Sequence, residues 1–222
     1  MTLNIFYMAL NTVKQASDKI ICTFIIFLIP IFTYPVNTVK SPVNNKILPQ
    51  NPNRIQYVFF AGGHLYGYPS TSIFVAPSLL SSINEINKNK PHFFVSLGDN
   101  YRNADSLTIS VFKQTFAEKL NCPFFITVGN HDVSKRAVFN SFFGNNTWYS
   151  FYYSNDIFIF LDSEIDDGKI VAEQLNFLKT KTKEIIDNNT IKNVFIFCHK
   201  LIWTIQDTTF KIVYENTNDV NG

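Results

Sequence analysis

Sulfur and charge are both scarce in this chain. Three widely spaced cysteines in 222 residues exclude a small scaffold built on disulfides. Charged side chains are only 16% of the total, and nineteen basic against seventeen acidic residues leave a net charge of +2. That is too little to draw a nucleic acid or a membrane surface by long-range field, and no nucleic-acid-binding signal is read. Aromatic and aliphatic residues are abundant instead. Hydrophobic residues reach 46%, with 23 Phe and 10 Tyr, which excludes disorder over the bulk of the chain. The length suits one domain with a sizeable core. The heavy use of Asn, Ile, Lys and Phe reads as codon bias.

An uncharged run over residues 20–36 stands apart, at the short end of what spans a bilayer. Lys14 and Lys19 precede it, an arrangement that keeps the N-terminal side in the cytoplasm and sends the following chain across. Thr33-Tyr34-Pro35-Val36 offers no small-x-small cleavage site, so residues 1–36 are expected as an uncleaved membrane anchor. A cleaved signal peptide is the second reading and a buried helix the third, with Pro30 counting against the last. The expected location is single-pass with the domain extracytoplasmic, or secreted if the segment is cleaved. Residues 37–54 carry prolines at 42, 49 and 52 and no apolar periodicity, and are expected as a linker to a domain over residues 55–222. Asn145-Asn146-Thr147 and Asn188-Asn189-Thr190 fit the N-glycosylation pattern, but in so asparagine-rich a chain they decide nothing.

Within the domain, short apolar runs alternate with helical patterns, as in an α/β fold. Strands are expected at residues 55–61, 92–97, 123–128 and 193–198, and an aromatic hairpin at 148–153 and 157–161. Pro77 with Leu79, Leu80, Ile83 and Ile86, then Phe112, Phe116 and Leu120, then Val171, Leu175, Leu178 and Ile185, mark helix faces. The aromatics of the hairpin, Trp148, Tyr149, Tyr152 and Tyr153, are read as sheet packing. A disulfide between Cys122 and Cys198 is geometrically doubtful, since one begins a strand and the other ends one.

The polar residues of interest fall where strands end. Of four histidines, His64, His131 and His199 sit at such ends and only His92 starts a strand. A single loop histidine is usually satisfied by water. Three of them accompanied by Asp99 and Asn130 form a set of imidazole, carboxylate and amide donors that suits zinc, manganese or iron.

Gly98-Asp99-Asn100 and Gly129-Asn130-His131-Asp132, each behind an apolar strand, resemble the second and third blocks of the calcineurin-like metallophosphoesterase superfamily. The order downstream agrees: Trp148-Tyr149-Ser150-Phe151, then Leu161-Asp162-Ser163, then Glu173-Gln174-Leu175, then a strand ending in His199. The resemblance covers roughly residues 55–203. It implies two mixed β-sheets in a sandwich flanked by α-helices, two divalent metal ions (Mn, Fe or Zn) and hydrolysis of a phosphoester substrate. Carried over, Asp99 would bridge both metals, Asn130 and His199 would bind the second, and His64 the first. His131 would protonate the leaving oxygen or stabilise the phosphoryl charge, with Asp132 orienting its ring. Arg102 would bind substrate phosphate, or lie on the surface; Tyr101 has the same two readings. Gly62 stands where the family's first block has Asp, and no Gly-His-x-His block follows His199, so the last strands and further ligands are expected to be missing. Lys200 would place a cation beside the metals. A catalytically impaired binding or scaffold relative is the alternative reading.

Overall fold

The computed structural model describes residues 38–49, 56–67 and 72–200. The expected anchor or signal segment at 1–36 lies outside them, as do residues 201–222 of the expected domain. Among the described residues no helix is long and apolar enough to cross a membrane.

Three parallel strands form the first sheet, in the order β3 (Phe59–Gly62), β4 (Phe93–Ser96), β5 (Phe124–Ile126). Side chains of a strand alternate between faces, so Phe60, Phe94 and Phe124 share the face that meets α1 (Pro77–Ser81), α2 (Ile83–Lys88), α3 (Ser106–Phe112) and α4 (Arg136–Phe143). Phe59, Phe93 and Phe125 take the other face. All four residues of β4 are buried, which is why this strand reads as a continuous apolar run.

The second sheet runs β6 (Tyr149–Tyr153), β7 (Asp156–Phe160), β8 (Asn193–Phe197), with β6 antiparallel and β8 parallel to β7. The expected hairpin is the β6–β7 pair. Its inner face packs Phe151, Tyr153, Phe158 and Phe160 against Phe93, Val95 and Phe125, and the Phe93 and Phe158 rings meet edge to face at 5.0 Å. The outer face, Ile157, Ile159 and Leu161, is covered by Phe177, Leu178 and Ile185 of α5 (Ala172–Asp187). The layers are therefore helices, sheet, sheet, helix. Of the aromatics expected to pack, Tyr149 and Tyr153 join the inter-sheet core, while Tyr152 is exposed on the sheet face and bonds Glu184.

Three details depart from expectation. The helix predicted behind Pro77 is two short ones, α1 and α2, with Ser81 and Ser82 hydroxyls both donating to the Ser78 carbonyl at the junction. The face of Phe112, Phe116 and Leu120 is fully buried, but α3 widens after Phe112 into a π turn over Lys113–Ala117. The third concerns the expected linker, of which residues 38–49 are packed on the domain. Strands β1 (Val39–Lys40) and β2 (Ile47–Leu48) form a small hairpin whose Val43 and Leu48 are fully buried. Ser41 Oγ donates to the Phe124 carbonyl at 2.6 Å, and Asn44 Nδ2 donates to the Ala117 and Cys122 carbonyls. The polar residues that read as a tether here satisfy the open backbone edge of β5.

Candidate active site

Strands β3, β4, β5 and β8 all deliver their C-terminal ends to one place, and the loops that follow carry the site. Two of these loops touch through glycines. A side chain on Gly129 would collide with the Asp99 amide and carboxylate at 2.4 Å, and one on Gly98 would strike His199 Nδ1 at 2.5 Å. Gly98 also has φ +93°, which L side chains avoid. The two Gly residues thus permit the approach that sets Asp99, Asn130 and His199 side by side.

His64 and Asp99 themselves hold positive φ, +56° and +57°, without being glycine. Such conformations cost of order 1–3 kcal/mol each and persist where the surroundings enforce them. Here the enforcement is visible: His64 N donates to the Gly98 carbonyl at 2.9 Å and Leu65 N to the Asp99 carbonyl at 2.7 Å, zipping the first loop to the second.

The Asp99 carboxylate is 3% exposed and faces two imidazoles, Oδ2 at 3.5 Å from His64 Nδ1 and Oδ1 at 3.5 Å from His199 Nε2. His199 Nδ1 lies 2.9 Å from the Leu97 carbonyl, which only accepts, so Nδ1 carries the proton and Nε2 of the neutral ring offers a lone pair. That lone pair also faces Asn130 Oδ1 at 3.1 Å. Three electron-pair donors, Asp99 Oδ1, Asn130 Oδ1 and His199 Nε2, thus converge. Donor atoms about 2.1 Å from a common ion at right to tetrahedral angles sit about 3.0–3.4 Å apart, close to the separations found. Carboxylate, amide oxygen and imidazole suit a borderline or hard dication. Among the described residues the second half of the site has His64 and Asp99 alone, and the His64 side chain is 63% exposed. A Cβ at Gly62 would touch Phe94 and Leu65, both apolar, so that position faces the helix-side core. Among the described residues no group of three or more His, Cys, Asp or Glu side chains is arranged to hold a metal ion. The three-donor cluster depends on the Asn130 amide.

His131 stands beside this cluster. Its backbone N donates to Asp99 Oδ1 at 3.2 Å, and its Nδ1 donates to the Arg102 carbonyl at 2.7 Å, leaving Nε2 free to exchange a proton. The expected Asp132–His131 contact is replaced by this one. Asp132 is fully buried behind the loops, where its carboxylate accepts from Asp99 N (2.8 Å), Asn100 N (2.8 Å), Asn100 Nδ2 (3.0 Å) and Gly129 N (2.9 Å). It fixes backbone, because from a position inside the turn its short side chain reaches amides and not the ring. Burial pushes its pKa up to about 7, against the pull of those amide donors, with the Asp99 charge adding to the rise.

Arg102 is half-buried, and its guanidinium lies over the Tyr66 ring, Cζ 5.6 Å from the centroid. Tyr101 is core, 1% exposed, its hydroxyl donating to the Asp132 carbonyl at 3.4 Å; burial drives its pKa far up. Lys200 brings no free cation to the site: Nζ pairs with Asp167 at 2.6 Å and Glu164 at 3.5 Å. Glu164 has its own pKa raised, by burial first, with Lys200 and His199 opposing. The loop carrying these acids is anchored by fully buried Asp162, which accepts from Arg136 Nη1 at 2.7 Å and from the Glu164 amide at 2.9 Å. Cys122 and Cys198 are not in disulfides, and Cys198 Sγ donates to the Lys200 carbonyl at 3.2 Å. Sequence reasoning gave no role to Tyr66, Glu164 or Arg136. Tyr66 alone left a signal, lying two residues after His64 and so on the same loop.

The fold is an α/β sandwich with acid, amide and imidazole groups gathered at parallel strand ends, where open α/β sheets place their sites. The family model for calcineurin-like phosphoesterase matches residues 74–216, well over half of the chain, and the chain belongs to that family. The match takes in Asp99, Arg102, Asn130, His131, Asp132 and His199 and begins after His64. No curated protein matches the chain.

Proposed function

We propose that this protein is a metal-dependent hydrolase that cleaves phosphoesters. The observation that carries the reading is the approach of Asn130 Oδ1, at 3.1 Å, and Asp99 Oδ1, at 3.5 Å, to His199 Nε2, with the His199 proton held on the opposite nitrogen. Asp99, Asn130 and His199 would hold one divalent ion (Mn, Fe or Zn), and Asp99 with His64 a second. When bound, such ions supply Lewis acidity and a water acidic enough to attack at neutral pH.

The chain's own residues account for the rest of the reaction. Arg102 offers a fork of donors to non-bridging phosphate oxygens. His131 Nε2 delivers a proton to the departing oxygen, with Nδ1–H held on the Arg102 carbonyl so that the ring keeps one orientation. One carbonyl therefore ties the phosphate-binding residue to the proton donor. Asp132 keeps the Asp99 and Gly129 amides in register, so the carboxylate stays aimed at both imidazoles. The apolar segment at 20–36 supports placing the domain outside the cytoplasm.

The reading is tested by manganese-dependent hydrolysis of bis(p-nitrophenyl) phosphate, with chelator and add-back. Activity that appears with the metal and vanishes in Asp99→Ala and His131→Ala supports it. A second reading, a binding or scaffold relative without turnover, is favoured by the two-donor half-site at His64. Metal uptake without hydrolysis, or no uptake in equilibrium dialysis, would select it.

A further inference from the structure

We propose that Tyr66 is a positioning residue of this site, its ring acting as a spacer that sets the orientation of both the His64 and His131 imidazoles and of the Arg102 guanidinium. The proposal deepens the hydrolase reading and rests on it for its kinetic consequences, though not for its geometry. One ring touches three functional groups: the His64 centroid is 4.2 Å away, the His131 centroid 5.0 Å, and Arg102 Cζ 5.6 Å. His64 faces Asp99 Oδ2, while His131 contacts Asp99 only through its backbone amide, so Tyr66 is the side chain that links the two rings.

The ring can serve as a reference because its backbone is tied down. Leu65 N donates to the Asp99 carbonyl, Ala76 N to the Leu65 carbonyl and Gly67 N to the Phe74 carbonyl, and Tyr66 forms an antiparallel bridge with Val75. Leu65 and Val75 on either side are buried at 4% and 1% exposure. His64, by contrast, is mostly exposed, with its ring set by Asp99 and by Tyr66 alone among the contacts described. A long flexible arginine and an exposed imidazole both lose rotamer freedom when a fixed aromatic face holds them, which favours the reactive arrangement before substrate arrives.

The ring meets the two imidazoles, while Arg102 meets both the ring and the hydroxyl, so Tyr66→Phe and Tyr66→Leu separate the two contributions. In the full chain with isotope-labelled histidine, the ring signals of His64 and His131 are expected to shift in Tyr66→Leu and to return to their wild-type places in Tyr66→Phe. His92, at the other end of the fold, serves as the unmoved control. Under the hydrolase assay, Tyr66→Leu is expected to lower kcat about tenfold through His131 and to raise KM several-fold through Arg102, with Tyr66→Phe restoring kcat and only part of KM, since the hydroxyl also bonds Arg102. Should Tyr66→Leu not fold, nuclear Overhauser contacts between the Tyr66 ring and both imidazoles in the wild-type protein decide the matter. Unmoved His64 and His131 signals in a folded Tyr66→Leu, or no such contacts in the wild type, overturn the proposal. A wild-type chain that turns over no phosphoester defeats the hydrolase reading and leaves the histidine signals to judge Tyr66 independently.

Discussion

At the end of the sandwich where strands begin, Tyr57, His92, Asp156 and Asn193 gather; at the end where strands finish, Tyr66, His199, Asp99 and Asn130 do. The residue types are the same and the pairing is opposite. Asp156 accepts hydrogen bonds from the Tyr57 hydroxyl, from Asn193 N at 3.0 Å and from Asn193 Nδ2 at 2.8 Å, so protein donors surround its carboxylate. Asp99 receives one amide, from His131, and otherwise faces imidazole nitrogens and the Asn130 oxygen beyond them. One cluster is closed on itself and ties the two sheets together. The other is held open by positive-φ backbone and two glycines, and its electron-pair donors face one another. Proteins commonly sacrifice stability at such sites.

The comparison breaks most visibly at the two aspartates. Asp99→Asn is expected to reduce metal-dependent hydrolysis by about a thousandfold or more and to abolish metal uptake, while leaving the melting temperature nearly unchanged, since it removes an underpaired buried charge. Asp156→Ala should do the reverse. It orphans the Asn193 and Tyr57 donors and costs about 2–3 kcal/mol in denaturant unfolding, with turnover per folded molecule intact. If both variants lose stability and neither loses activity selectively, the division between the two ends does not hold.

Glycine substitutions sharpen the same contrast at somewhat smaller cost. Gly98→Ala meets both a φ of +93° and a 2.5 Å clash with His199, so about 1–3 kcal/mol of stability and most activity should go together. Gly144→Ala has a similar φ, +87°, but nothing within 4 Å of its Cβ, so only backbone strain of about 1 kcal/mol is expected and activity should survive. Paired urea titrations and hydrolysis assays distinguish them.

The strands and the polar residues at their ends were legible because buried parallel strands leave continuous apolar runs that stop abruptly at Gly-Asp or Gly-Asn. Asp99, Asn130 and His199, which motif order put in one set, lie side by side at those ends. What escaped is what depends on orientation. Nothing in Gly-Asn-His-Asp tells whether the last carboxylate turns to the neighbouring imidazole or to the backbone behind it, and Asp132 turns to the backbone. Arg102 serves His131 through its carbonyl, an atom every residue has, so no residue type could announce it. Ser41 and Asn44 looked like linker because residues that cap an open strand edge have the composition of residues that face water. Lys200 looked like a charge for the site because its acidic partners, Glu164 and Asp167, lie far back in the chain.

Asp132 offers the finest test, because it has the closed pairing of Asp156 yet stands at the open end. Its pKa in the fold, pushed up to about 7 by burial, lies above the ordinary carboxylate value of 3.8 that the unfolded chain would show. Between those values the folded protein holds a proton that the unfolded chain has released, so stability falls as pH rises from about 4 to 7 and levels off above. The slope from one such group is at most about 1.4 kcal/mol per pH unit. Glu164, also raised by burial, contributes with the same sign, so the informative quantity is the difference between wild type and Asp132→Asn in chelator. That difference should diminish with rising pH across the window, because only the wild type loses stability there through this group. A difference independent of pH would mean that the four amides hold Asp132 ionised throughout, and that the carboxylate behind the site is as fully compensated as the one at the opposite end.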